Sequence, residues 1–222
     1  SPGVYGYIMG IHGMVVLLFF LVPVLVGGFG GYLLPILLGI PGLVLPRIGA
    51  LGAWLVVPSV VCLGLGLLGG AGVGWTFYPP LAGGGFSTGH GVDFLVFGLH
   101  LAGVSSILGS LDFMATIYGA LDIYTSSRQS AMVWSYLFTS ILLVLSLPVL
   151  AAAMAMLLFG GNFGGSFFGP VGGGDIVLFS CLFWFFGHPG VYVLVLPGFG
   201  AVGHICMGLG NQDSLFGYYG IV

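Results

Sequence analysis

Hydrophobic residues run along this chain in long unbroken stretches, separated by short segments rich in Gly, Pro and small polar residues. The stretches cover roughly residues 8–38, 51–72, 92–119, 131–159 and 176–207, and residues 217–222 have the look of a sixth beginning. About 20 consecutive apolar residues cross a bilayer as helix, because a helix satisfies every backbone N–H and C=O within itself. Each of the five stretches is long enough. None alternates with a period of two, so a β-barrel is not expected. The pattern predicts an all-α, polytopic transmembrane helix bundle of five to six spans, forming a single domain over residues 1–222.

Between the stretches lie LGIPGLVLPRIGA, GWTFYPPLAGGGFSTGHG, YTSSRQS, FGGNFGGSFFGPVGGGD and GLGNQDSLFG, each punctuated by turn-forming residues. If the chain crosses at every stretch, the loops after the first and third spans face one compartment. These loops hold Arg47 and Arg128, the chain's two cations, as the tendency of positive charge to stay on one side of a membrane requires.

Composition sharpens this picture. The chain is 59% hydrophobic and 3% charged, whereas a soluble domain carries roughly 25% charged residues. The apolar runs are too long and too many to be the core of a cleaved secretory signal. Lys and Glu are absent, which leaves neither a nucleic-acid footprint nor a basic helix lying on a membrane surface. Lipid is the expected surroundings. Cys62, Cys181 and Cys206 sit singly in apolar stretches and read as small packing residues. Glycine, at 44 of 222 residues, exceeds the usual share of roughly 7% nearly threefold, and no repeat accounts for it.

An imidazole inside hydrocarbon needs a partner, so each intramembrane histidine is a candidate functional residue. His12, His100, His188 and His204 fall in the spans, and His90 in a loop. Each could instead bond a neighbouring helix's carbonyl or line a hydrated cavity. With so few acids available, a metal site here would be rich in imidazole, which suits copper, haem iron or zinc better than magnesium or calcium. His188 and Tyr192 stand four residues apart, on one face of a helix and about a turn from each other. A phenol in that position can supply a proton and an electron to an oxidant bound at the imidazole's metal.

The stretch WFFGHPGVYVLVLPGFG resembles a segment of subunit I of the haem-copper oxygen reductases, a family of terminal respiratory oxidases. In the same order, HGMVVLLFFLVPVLVGGFGGYLLPILLGIPGLVLPR, WTFYPPLAG, VDFLVFGLHLAGVSSILG, ILLVLSLPVLAAAMAMLL and FFGPVGGGD are similar to further segments of that subunit, and together they cover nearly the whole chain. The resemblance implies part of a fold of about twelve spans, with this chain matching the second to sixth and the start of the seventh. It implies His12 as an axial ligand of a low-spin haem, His188 as a ligand of the copper facing a high-spin haem, and Tyr192 as the tyrosine linked to that histidine and used in breaking the O–O bond. The tyrosine favours an oxygen reductase over the related nitric oxide reductases. His100 and His204 match positions that are not metal ligands in the family.

The implied cofactors are haem a, in low-spin and high-spin forms, and copper. The implied partners are a complementary chain carrying the rest of subunit I, a dinuclear-copper subunit II, subunit III and cytochrome c, with a mitochondrial inner membrane or a bacterial plasma membrane as the setting. The remaining ligands would lie on the complementary part, through a split subunit or a longer product. A quinol-oxidising relative and a non-catalytic membrane scaffold are the alternatives. Gly31, Gly42, Gly49, Gly84, Gly169 and Gly190 stand where the family usually has acid or amide side chains. Gly42 matches the carboxylate at the mouth of a proton-uptake pathway and Gly190 the one at its inner end. Either this chain lacks that relay, with protons travelling through ordered water or a lysine-containing route elsewhere, or some of these glycines stand for acids not identified in the sequence. A peptide mass spanning residues 181–200 separates the two.

Overall fold

A computed structural model describes residues 2–83, 89–121, 129–212 and 215–221. Arg128 and Gly84 lie outside the described residues. Five segments are long and apolar enough to cross a membrane: Ile8–Leu38, Pro46–Leu68, Gly91–Ala120, Ala131–Phe163 and Ile176–Gly210. They match the five apolar stretches of the sequence.

The first span is not uniform. It begins as α1 (Pro2–Met14), widens into π-helical winding over Val15–Leu21 and Pro23–Gly30, and closes as α2 (Gly31–Leu38). The wider winding shifts each backbone hydrogen bond one residue further along the chain. Gly39, with φ of 67°, stops α2 in a left-handed turn that a side chain would resist. The other spans are α3 (Pro46–Leu68), α4 (Gly91–Ala120), α5 (Ala131–Phe163) and α6 (Ile176–Gly210), and a short α7 (Tyr218–Ile221) follows. Pro46 opens α3, where its missing N–H is no loss. The Val133 N–H donates to Ser130 Oγ at 3.4 Å and the Val177 N–H to Asp175 Oδ1 at 2.8 Å, so polar residues of the turn segments cap α5 and α6.

α4 packs between α3 and α5, and α5 packs on α6, with the first span lying across α4, α5 and α6. Small residues allow the close approach. A Cβ built at Gly66 would lie 2.5 Å from Leu95 Cδ2, and one at Gly200 would lie 2.9 Å from Met132 Cα, so part of the glycine excess is demanded by helix contact. Hydroxyls join the same interfaces: Ser59 Oγ donates to the Gly98 carbonyl at 2.7 Å and Ser105 Oγ to that of Gly52 at 2.6 Å, both between α3 and α4. Tyr136 OH donates to the Leu25 carbonyl at 3.1 Å and ties α5 to the first span.

The ends of the bundle obey alternate crossing. At one end, the backbone N–H groups of Val44 and Leu45 reach Thr116 and Asp112 near the end of α4, and Tyr218 OH donates to the Gln129 carbonyl at 2.5 Å. At the other end, Asn162 near the end of α5 donates to Asp93 at the start of α4 at 2.9 Å. There too, Tyr78 packs edge-on against Phe179 at the start of α6, and the indole of Trp184 donates to its hydroxyl.

Candidate functional site

His188 lies twelve residues beyond the first residue of α6, about 18 Å along its axis and near the middle of the span. Its ring meets that of Tyr192 edge-on, with centroids 4.6 Å apart and planes 84° from each other. The four-residue spacing and the direction of side chains along a helix place the two rings one above the other. Both are exposed, Tyr192 at 45%. Cys181, Phe185, Val195 and Phe199 are exposed along the same helix, whereas Phe179, Phe183, Phe186 and Val193 are buried against the bundle. The imidazole and phenol therefore sit on a face of α6 that the described residues do not cover, and neither ring nitrogen of His188 has a hydrogen-bond partner among them.

His12 is exposed near the start of the first span. The segment after α3 folds over that end: a Cβ at Gly10 would meet the Val73 carbonyl at 2.3 Å, and one at Gly13 would meet Trp75 Cδ1 at 3.0 Å. His12, too, has no hydrogen-bond partner among the described residues.

The other histidines differ. His100 is half-buried, with Nδ1 2.8 Å from the Val96 carbonyl and Nε2 3.2 Å from the Ala151 carbonyl, so it joins α4 to α5. His90 caps α4 and lies 3.0 Å from Asp93. His204 is exposed six residues before the end of α6.

The sequence-derived residues are thus only partly brought together. His188 and Tyr192 touch, while His12 stands on another helix, and among the described residues no three His, Cys, Asp or Glu side chains cluster closely enough to hold a metal ion. Each imidazole nevertheless fits the groups the resemblance implies, because a neutral nitrogen free of protein partners is the donor that copper and haem iron take. The rest of each coordination sphere has to come from outside the described residues.

Two cavities lie within the bundle, the smaller of them behind this face. The smaller, about 70 Å³, is lined by Trp75, Ser106, Phe186, Gly187 and Gly190 among mainly apolar side chains. The larger, about 480 Å³, is lined by the first span, α3 and α4, and includes Gly31, Gly49, Ser105, Ser106, Ser110 and Asp112. Asp112 was not among the residues expected from the sequence. It is 1% exposed, and the signal that could have found it is a carboxylate in the middle of an apolar run.

The family described as Cytochrome C and Quinol oxidase polypeptide I matches residues 1–222. The chain belongs to this family. Among curated relatives, cytochrome c oxidase subunit 1 of Yarrowia lipolytica is 41% identical over 221 residues, covering 98% of this chain and 41% of the relative. Cytochrome c oxidase subunit 1 of Pecten maximus is 42% identical over 221 residues, covering 98% of this chain and 46% of the relative. The chain spans less than half the length of these members of the oxidase polypeptide I family.

Proposed function

We propose that the chain forms part of the catalytic subunit of a terminal respiratory oxidase of the mitochondrial inner membrane, which reduces dioxygen to water with electrons from cytochrome c and couples this to proton translocation. The observation that carries the reading is the His188–Tyr192 pair, held edge-on at 4.6 Å on a face free of the chain's own packing. The family description includes quinol oxidases, but both relatives are cytochrome c oxidases, which favours cytochrome c as the donor.

Haem a and copper, when bound, supply electrons and the place where dioxygen is taken up. His188 would hold copper through a ring nitrogen, and His12 would hold the iron of the low-spin haem near the start of the first span. Tyr192 keeps a transferable proton on its phenol oxygen, one turn from the metal-binding imidazole. Phe183, Phe186 and Val193 behind the pair are buried and keep water from reaching it through the bundle. The complementary part of subunit I supplies the remaining ligands, and subunits II and III complete the complex.

In the assembled oxidase, His188→Ala is expected to lose copper by elemental analysis and to abolish oxygen consumption, with low-spin haem absorbance retained. His12→Ala is expected to lose that absorbance. Full copper content and turnover in His188→Ala would overturn the reading.

A further inference from the structure

Asp112 has two carboxylate oxygens in different situations. Oδ1 accepts the Leu45 N–H at 2.9 Å and the Thr116 hydroxyl at 3.4 Å. Oδ2 is fully buried and has no hydrogen-bond partner among the described residues. A side chain held so firmly by one oxygen cannot turn to satisfy the other. The space beside Oδ2 is open because residue 49 is glycine: a Cβ there would stand 2.9 Å from this oxygen.

Asp112 also lines the cavity of about 480 Å³, in which it is the one ionisable side chain. The hydroxyls of Ser105, Ser106 and Ser110 continue along the lining. A water needs at least about 10–15 Å³ of such space and two to four polar partners, and an acceptor oxygen with hydroxyls along one wall provides them. The cavity begins at the end of the bundle where the loop carrying Gly42 folds over Asp112. At its other end it shares Ser106, Ala102, Leu18, Val22 and Leu143 with the smaller cavity lined by Gly190, two residues beyond His188 in α6. Ionisable side chains set within a membrane commonly mark routes for protons.

We propose that Asp112 is a proton-exchanging acid of this chain: water in the larger cavity hydrogen-bonds Oδ2, which accepts a proton from one water and returns it to another on the side of Ser106. No electrons move, and one proton enters for each that leaves. As the sequence stands, neither Gly42 nor Gly190 carries a side chain that holds a proton. The inference rests on the oxidase reading only for the fate of the proton, since hydration of the carboxyl is measurable without turnover.

The test is infrared difference spectroscopy of the assembled oxidase transferred from H₂O to D₂O, with the Asp112 carboxyl band assigned by its loss in Asp112→Asn. The band is expected to shift on transfer. Asp112→Asn, which keeps the acceptor for the Leu45 N–H, is expected to slow proton-coupled oxygen reduction roughly a hundredfold, with haem absorbance unchanged, and Asp112→Glu to restore most of it. A band that does not shift, or an Asp112→Asn enzyme with unaltered turnover, overturns the proposal. If Asp112→Asn does not assemble, Gly49→Ala takes its place. Its methyl group occupies the space beside Oδ2 and should abolish the D₂O shift, and a shift that survives it overturns the proposal equally. An enzyme without haem or oxygen consumption in the parent form would sink the oxidase reading while leaving the hydration measurement standing.

Discussion

Replacing Tyr192 with Phe removes one oxygen atom and keeps the ring that packs edge-on against His188. If the phenol is a proton donor to reacting oxygen, turnover should fall on the order of a hundredfold, while copper content and haem spectra stay as in the parent. An oxygen-electrode assay beside optical spectra reads both. The glycines divide in a way that a side-by-side pair of substitutions exposes. At Gly190 the nearest atom to an added Cβ is Phe186 Cζ at 3.9 Å, and at Gly31, Gly42 and Gly169 nothing lies within 4 Å, so neither packing nor backbone conformation requires glycine there. Gly190→Ala should stabilise the complex by about 0.5–1 kcal/mol. Gly66→Ala, whose Cβ would press on Leu95 Cδ2 at 2.5 Å and on the Gly91 carbonyl, should destabilise it by about 1–3 kcal/mol. Thermal denaturation compares the two. The His188–Tyr192 pair was legible from spacing alone, because a helix converts four residues into one turn. Asp112 was less so, since its importance depends on a cavity and on a glycine 63 positions earlier, and only its charge within an apolar run is local.

At the scale of elements, the spans could be read directly because hydrocarbon admits only continuous apolar helix, and observed and expected limits differ by a few residues. The winding could not. The run VVLLFFLVPVLVGGFG is equally apolar whether its hydrogen bonds close α- or π-turns, so its hydrophobicity does not distinguish the two. Nor does the sequence reveal which serine joins which helix. Ser59 is fully buried and donates to the Gly98 carbonyl at 2.7 Å, where a Cβ on residue 98 would come within 3.1 Å of the Ser59 carbonyl oxygen. Ser59→Ala should therefore cost about 0.6 kcal/mol, the usual worth of a hydrogen bond between membrane helices. Gly98→Val, which forces α3 and α4 apart, should cost several times more. Denaturation of the complex in graded detergent measures both, and equal effects would mean that the hydroxyl, rather than close backbone approach, sets this contact.

For the whole molecule, the deciding question is what covers the outer face of α6. Eighteen residues make five turns and seven make nearly two, so Cys206 and Cys181 point in the same direction as His188, and both thiols are exposed on this chain. Lipid would be an adequate cover for Phe185, Val195 and Phe199. It would not be one for an imidazole without a hydrogen-bond partner among the described residues or for a phenol, which hydrocarbon penalises by several kcal/mol unless a polar or metal partner is supplied. The chain spans 41% and 46% of its relatives, and the proposed oxidase reading makes further polypeptide the expected cover for both groups. A photoactivatable cross-linker placed on Cys206 in the assembled complex should then capture protein, at a segment that mass spectrometry places in the complementary part of the subunit. Capture of lipid alone would put hydrocarbon against His188 and overturn the proposed role of this face in catalysis.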